Sequence, residues 1–194
     1  MIFMPRRLFL ALNPCAGAID RLRQTVVPLM EEPWARVRWL PPDQWHVTVR
    51  YLGETPEGDM AERVRMLAPV AAHAAEMTPL AISTLALWPN PAKPRVLVVT
   101  AESAGWVEAM AQCAEVLARE AGYRAEMRPF RPHLTLARLG SGAVPSAGRA
   151  MLADAAQVLR GTTLAFESLS LFASRTPPEG PWFERLATVR LPGA

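Results

Sequence analysis

Apolar residues recur along the chain with two periods. Seven runs alternate or cluster as strands with at least one buried face: RLFLAL (7–12), HVTVRYL (46–52), LAISTLALW (80–88), RVLVVTA (95–101), HLTLARL (133–139), TLAFESLSLF (163–172) and FERLATVRL (183–191). Helical spacing appears between them. From about 15 to 30, Ile19, Leu22, Val26 and Leu29 form one stripe; a second helix is expected to open at Thr55, with Pro56 in its first turn and Met60, Val64 and Leu67 facing inward. The third is the best defined. Ser103 is placed to cap it, Trp106, Met110, Cys113 and Leu117 form its stripe, and Gly122 follows its end, while a fourth runs over about 146–160. Strands that follow one another directly, as across the PNPAKP loop, predict antiparallel pairing. The expected class is α+β, with helices on one side of antiparallel sheets, and with no dividing linker 1–194 reads as a single domain.

Composition narrows the setting more than the chemistry. With 194 residues, 51% hydrophobic and 20% charged, the chain is long enough for a sizeable core. No apolar run approaches the roughly 20 residues of a membrane span, and the arginines of MIFMPRRLFLAL lie inside its apolar stretch, unlike a signal peptide. A cytoplasmic protein without a membrane partner is expected. Cys15 and Cys113 have neither CxxC nor Cys/His spacing, so no disulfide framework or zinc site is indicated. The net charge of +3 rests almost wholly on arginine, since Lys93 is the sole lysine. That surplus permits a polyanionic partner without arguing for one.

The chemistry lies in a repetition. WHVTVRYLG at 45–53 and PHLTLARLG at 132–140 both read histidine, aliphatic, threonine, aliphatic, two variable residues, leucine, glycine, and they hold two of the three histidines. Residues two apart in a strand share a face, so His46 lies beside Thr48 and His133 beside Thr135, while Val47, Val49, Leu134 and Leu136 point into the core. If the copies reflect a duplication, a pseudo-twofold arrangement sets both His-Thr pairs on one cleft. Such a cleft suits a phosphate: two imidazoles divide acid and base work near neutral pH, hydroxyls donate to non-bridging oxygens, and an arginine stabilises developing charge. His73, in the alanine-rich tail of a helix, is read as structural. Trp45, Phe9 and Tyr51 are assigned to the core.

These residues resemble the two-histidine (2H) phosphoesterase superfamily, and more closely its bacterial 2'-5' RNA ligase, or RNA 2',3'-cyclic phosphodiesterase, family. The likeness extends over RLFLALNP, WLPPDQWHVTVRYLGE, WPNPAKPRVLVV, FRPHLTLARLG and LSLFASRTPPEG. It implies a bilobal α+β fold with pseudo-twofold duplication, in which two antiparallel sheets face a central cleft and helices lie outside. It implies a monomer that hydrolyses 2',3'-cyclic phosphate RNA ends, or nucleoside cyclic phosphates, to 2'-phosphates without metal or cofactor, and that forms 2'-5' linkages in reverse. Carried over by position, His46 and His133 are the catalytic pair, with His46 as acid and His133 as base in one of the two assignments that the symmetry leaves open. Thr48, Thr135 and Arg138 would bind the phosphate. Strict alternation places Arg138 opposite His133, so a bulge or strand end must redirect it; Arg131 and Arg50 compete with it, each sharing a histidine's face. Asn13 stands where relatives often carry an acidic residue. Two other functions remain: a phosphodiesterase for 2'-5' oligonucleotides or small cyclic phosphates, and an RNA-end-binding module without turnover.

Overall fold

The computed structural model describes residues 6–30, 37–140, 144, 146–175, 182–192 and 194. Met1 to Pro5 and the TPPEG portion of LSLFASRTPPEG lie outside these residues. In chain order the elements are β1 (Arg6–Pro14), α1 (Ala16–Met30), β2 (Val37–Trp39), β3 (Val47–Thr55), α2 (Met60–Arg65), α3 (Leu67–Ala72), β4 (Leu80–Trp88), β5 (Val96–Ala101), α4 (Gly105–Glu120), β6 (His133–Leu139), α5 (Ser146–Leu159), β7 (Thr163–Leu164), β8 (Phe166–Arg175) and β9 (Trp182–Arg190). The fold is α+β, and every strand pairing is antiparallel.

The strands run in the order β7-β4-β5-β6-β3-β1-β8-β9, with β2 paired to β6. Two halves are visible within this order. Strands β3, β1, β8 and β9 form one, β7, β4, β5, β6 and β2 the other, and β3 meets β6 at the single pair Val47↔Leu134. That pair follows the histidine in each motif, so the pseudo-twofold relation passes between the two copies at their midpoint. Val47, Val49, Leu134 and Leu136 are all buried, as alternation predicts.

Several expectations are corrected. TLAFESLSLF is two strands: the chain leaves β4 after Leu164 and joins β1 from Phe166, with the carbonyl of Ala165 accepting from the Cys15 amide, so one segment serves both halves. The second helix starts at Met60 rather than Thr55, whose hydroxyl bonds Tyr123 Oη instead of capping a helix. It breaks at Met66, because Pro69 has no N–H to give to the Arg65 carbonyl; Arg63 turns inward and Val64 is exposed. In α4 the N-cap is Ala104, leaving Ser103 one residue too early to cap. Its buried face comprises Trp106, Val107, Met110, Ala111, Ala114 and Ala118, and Cys113 and Leu117 lie at the margin. Gly122 takes a left-handed φ of 84° after the helix end, where a side chain would be strained.

Candidate active site

Each motif strand carries a bulge at the same place. Against β5, β6 pairs Thr135 with Val98 and Ala137 with Leu97, leaving Leu136 as an extra residue; against β1, β3 pairs Thr48 with Ala11 and Arg50 with Leu10, leaving Val49 extra. Alternation therefore changes phase three residues after each histidine. Two successive side chains are buried, Leu136 and Ala137 in one strand, Val49 and Arg50 in the other. The next residue returns to the histidine's face. Arg138 thereby joins His133 and Thr135, which unbroken alternation forbids, and Tyr51 takes the equivalent seat beside His46 and Thr48. Tyr51 is 45% exposed, which corrects its assignment to the core. Trp45 and Phe9 are buried as expected, and Trp45 Nε1 donates to the Leu40 carbonyl at 2.9 Å.

The two imidazoles are held alike. His46 Nδ1 lies 2.7 Å from the Gln44 carbonyl and His133 Nδ1 2.8 Å from the Arg131 carbonyl. A carbonyl can only accept, so each Nδ1 bears a proton and donates it, which leaves Nε2 as the atom that gains or loses a proton. Gln44 is itself fixed, because its buried Oε1 accepts from the Phe183 amide at 2.9 Å and so ties the approach to β3 onto β9.

Their surroundings differ. His46 sits among three phenylalanines: Phe9 at 5.0 Å between ring centroids, Phe172 stacked at 5.5 Å and Phe183 edge-on at 5.0 Å. Apolar rings therefore line the His46 side of the strand. Burial pushes the His46 pKa from 6.5 down to about 4, with the charges of His133 and Arg138 adding to the depression and the Gln44 carbonyl opposing it. His133 and Arg138 stand on β6, which meets β3 at the residue after His46. His133 is half-buried and packs against Trp88 at 4.8 Å.

Thr48 and Thr135 are half-buried, and among the described residues neither hydroxyl has a protein hydrogen-bond partner. Arg138 is exposed. Arg50 is withdrawn to the opposite face, where its Nε lies 2.6 Å from Glu115 and its other nitrogens donate to the Tyr51 and Arg124 carbonyls. The bulge that returns Tyr51 to the cleft removes Arg50 from it. Arg131 offers the site its carbonyl, with its side chain exposed. Asn13 is buried in β1, its amide donating to the Ser168 and Ser170 hydroxyls of β8 at 2.9 and 2.7 Å. His73 is exposed at the end of α3. Sequence reasoning overlooked Phe172, Phe183, Trp88 and Arg185, whose guanidinium lies 5.5 Å over the Phe172 ring. Only strand register brings them to the motifs, and no local pattern signals it.

A model of the family described as LigT like Phosphoesterase matches residues 12–98 and again 99–183, with one histidine motif in each stretch. The chain is 30% identical over 168 residues to the RNA 2',3'-cyclic phosphodiesterase of Thermus thermophilus, covering 79% of this chain and 75% of that protein. It is 26% identical over 176 residues to the protein of the same name from Aeropyrum pernix, covering 90% and 95%. With its Geobacillus stearothermophilus counterpart the identity is 27% over 157 residues, and there the match spans 80% of this chain but only 48% of the relative's length. Among solved structures, TT0787 of Thermus thermophilus superposes with a TM-score of 0.66 at 24% identity, covering 96% of this chain and 98% of that one. Escherichia coli LigT complexed with 3'-AMP gives 0.63 at 20%, covering 96% and 98%, a likeness of fold. With both stretches matched and one histidine motif in each, the chain belongs to the LigT-like phosphoesterases of the 2H superfamily.

Proposed function

We propose that the protein hydrolyses the 2',3'-cyclic phosphate at an RNA end to a 2'-phosphate, His46 and His133 sharing the proton transfers. One observation carries this reading: alternation sets His46 beside Thr48 and His133 beside Thr135, with neither threonine hydroxyl partnered among the described residues, the bulge in β6 returns Arg138 to the same face, and the two strands meet at Val47↔Leu134. The relatives named RNA 2',3'-cyclic phosphodiesterase support the substrate class.

In the forward reaction His133 Nε2 takes a proton from water as its oxygen bonds to phosphorus. The bond from phosphorus to the 3'-oxygen breaks, and His46 gives that oxygen a proton. Thr48 and Thr135 donate to the non-bridging oxygens, and Arg138 stabilises the charge that accumulates on them. His46 acts as the acid once the bound phosphate has drawn a proton onto its Nε2, because with its pKa near 4 the ring is neutral in the free cleft at pH 7. The phosphate's negative charge has the required sign, opposing the effect of His133 and Arg138. With a 5'-hydroxyl in place of water, the same groups join two ends: His133 takes the hydroxyl's proton as its oxygen bonds to phosphorus, the bond to the 3'-oxygen breaks with a proton from His46, and a 2'-5' linkage remains.

The test is to incubate the protein, with chelator present, with an RNA ending in a 2',3'-cyclic phosphate and to identify the product isomer. A 2'-phosphate is expected. A 3'-phosphate would reassign the leaving oxygen, and tight binding without any product would make the protein an RNA-end-binding module instead.

A further inference from the structure

Arg38, in the three-residue strand β2, lies directly opposite Arg138 in the antiparallel pairing with β6. Residues so paired project to the same side with Cβ atoms roughly 4.5–5.5 Å apart. The two guanidinium stems therefore rise together from the face that holds His133 and Thr135. Both are exposed, and among the described residues neither has an ion pair or a side-chain hydrogen bond. Val96, which flanks Arg138 from β5, supplies no counter-charge. Some exposed arginines meet acids, as Arg7 does Glu54, Arg128 Glu126 and Arg175 Glu184, while others such as Arg21 and Arg65 meet none among the described residues; what distinguishes Arg38 and Arg138 is that they are opposed in register.

Like charges opposed in register are unfavourable unless an anion sits between them. One arginine answers the charge of a single reacting phosphate. The second, one strand further from His133, has no task there. An RNA chain differs from a nucleoside cyclic phosphate by a further anion, the phosphodiester that joins its terminal nucleotide to the one before. Guanidinium forks suit such an oxyanion in bidentate geometry.

We propose that Arg38 and Arg138 form a second anion seat that holds this preceding phosphodiester, so that the cleft selects RNA chains over nucleoside cyclic phosphates. The proposal rests on the cyclic-phosphate-end activity given above. Its test compares a trinucleotide ending in a 2',3'-cyclic phosphate with the matching nucleoside 2',3'-cyclic phosphate, in wild type and Arg38→Ala. The ratio of kcat/KM for trinucleotide over nucleoside falls about tenfold in the variant, and Arg38→Lys restores part of it. Binding of the trinucleotide 2'-phosphate is followed in parallel against salt. Its log-log slope loses about 0.7 in Arg38→Ala, the value for one single-strand phosphate contact. An unchanged ratio, or an equal loss on both substrates, overturns the seat. Should the wild type turn over neither substrate, the activity reading fails, and the salt slope alone decides Arg38: a loss of about 0.7 supports the seat, no loss refutes it.

Discussion

Replacing His46 by glutamine should flatten the protein's stability between pH 7 and pH 5. Packed among Phe9, Phe172 and Phe183, the native imidazole has its pKa lowered from 6.5 to about 4. The unfolded chain therefore binds the proton first. Stability contributed by keeping this ring neutral is present above pH 6.5 and is lost as pH falls through the window down to about 4, where both states are protonated. The whole gap corresponds to about 3 kcal/mol, of which about 2 kcal/mol falls between pH 7 and 5. For a chain of this size that is roughly 4–8 °C in Tm. Urea denaturation of wild type and His46→Gln at both pH values isolates the effect, because other titrating groups contribute equally to both proteins. Wild type loses about 2 kcal/mol more than the variant over this interval. Equal losses would show that the phenylalanine enclosure does not exclude the proton.

Opening that enclosure with Phe183→Ala admits water to the ring, and the His46 pKa, followed by NMR titration, rises by about one pH unit; an unmoved value removes burial as the cause. Arg138→Ala lowers kcat/KM on a cyclic-phosphate RNA by roughly a hundredfold without changing Tm, since the side chain is exposed; a change within about twofold excludes it from the phosphate. Arg50→Met leaves the Glu115 carboxylate unpaired beneath β3 and costs about 3 kcal/mol in denaturation. A loss below about 1 kcal/mol would mean that this ion pair is replaced by solvent.

Much of the framework was legible because it depends on neighbours in the chain. The alternation in HVTVRYL and HLTLARL identifies Val47, Val49, Leu134 and Leu136 as core, and the structure buries all four. What escaped depends on neighbours in space. Alternation assigns Tyr51 to the core and Arg50 to the histidine's face, and the bulge against β1 exchanges them. That bulge is a property of the pairing, invisible in β3 alone. The phenylalanine enclosure joins β1, β8 and β9, whose register no local pattern encodes. At three residues β2 is too short to show a period, so Arg38 drew no notice. The break in the second helix, by contrast, was available from Pro69, whose missing N–H marks where the ladder must fail.

The matched bulges also bear on direction. A cleft with true twofold symmetry would admit a strand of RNA either way round, and each histidine would serve as acid in half of the encounters. Here equivalent seats hold unlike occupants, a phenol at position 51 and a guanidinium at position 138. On the proposed function, a molecule with a charged end and an aromatic end would meet two unlike seats, so that divergence at these two positions, on a repeated scaffold, would set the direction of binding.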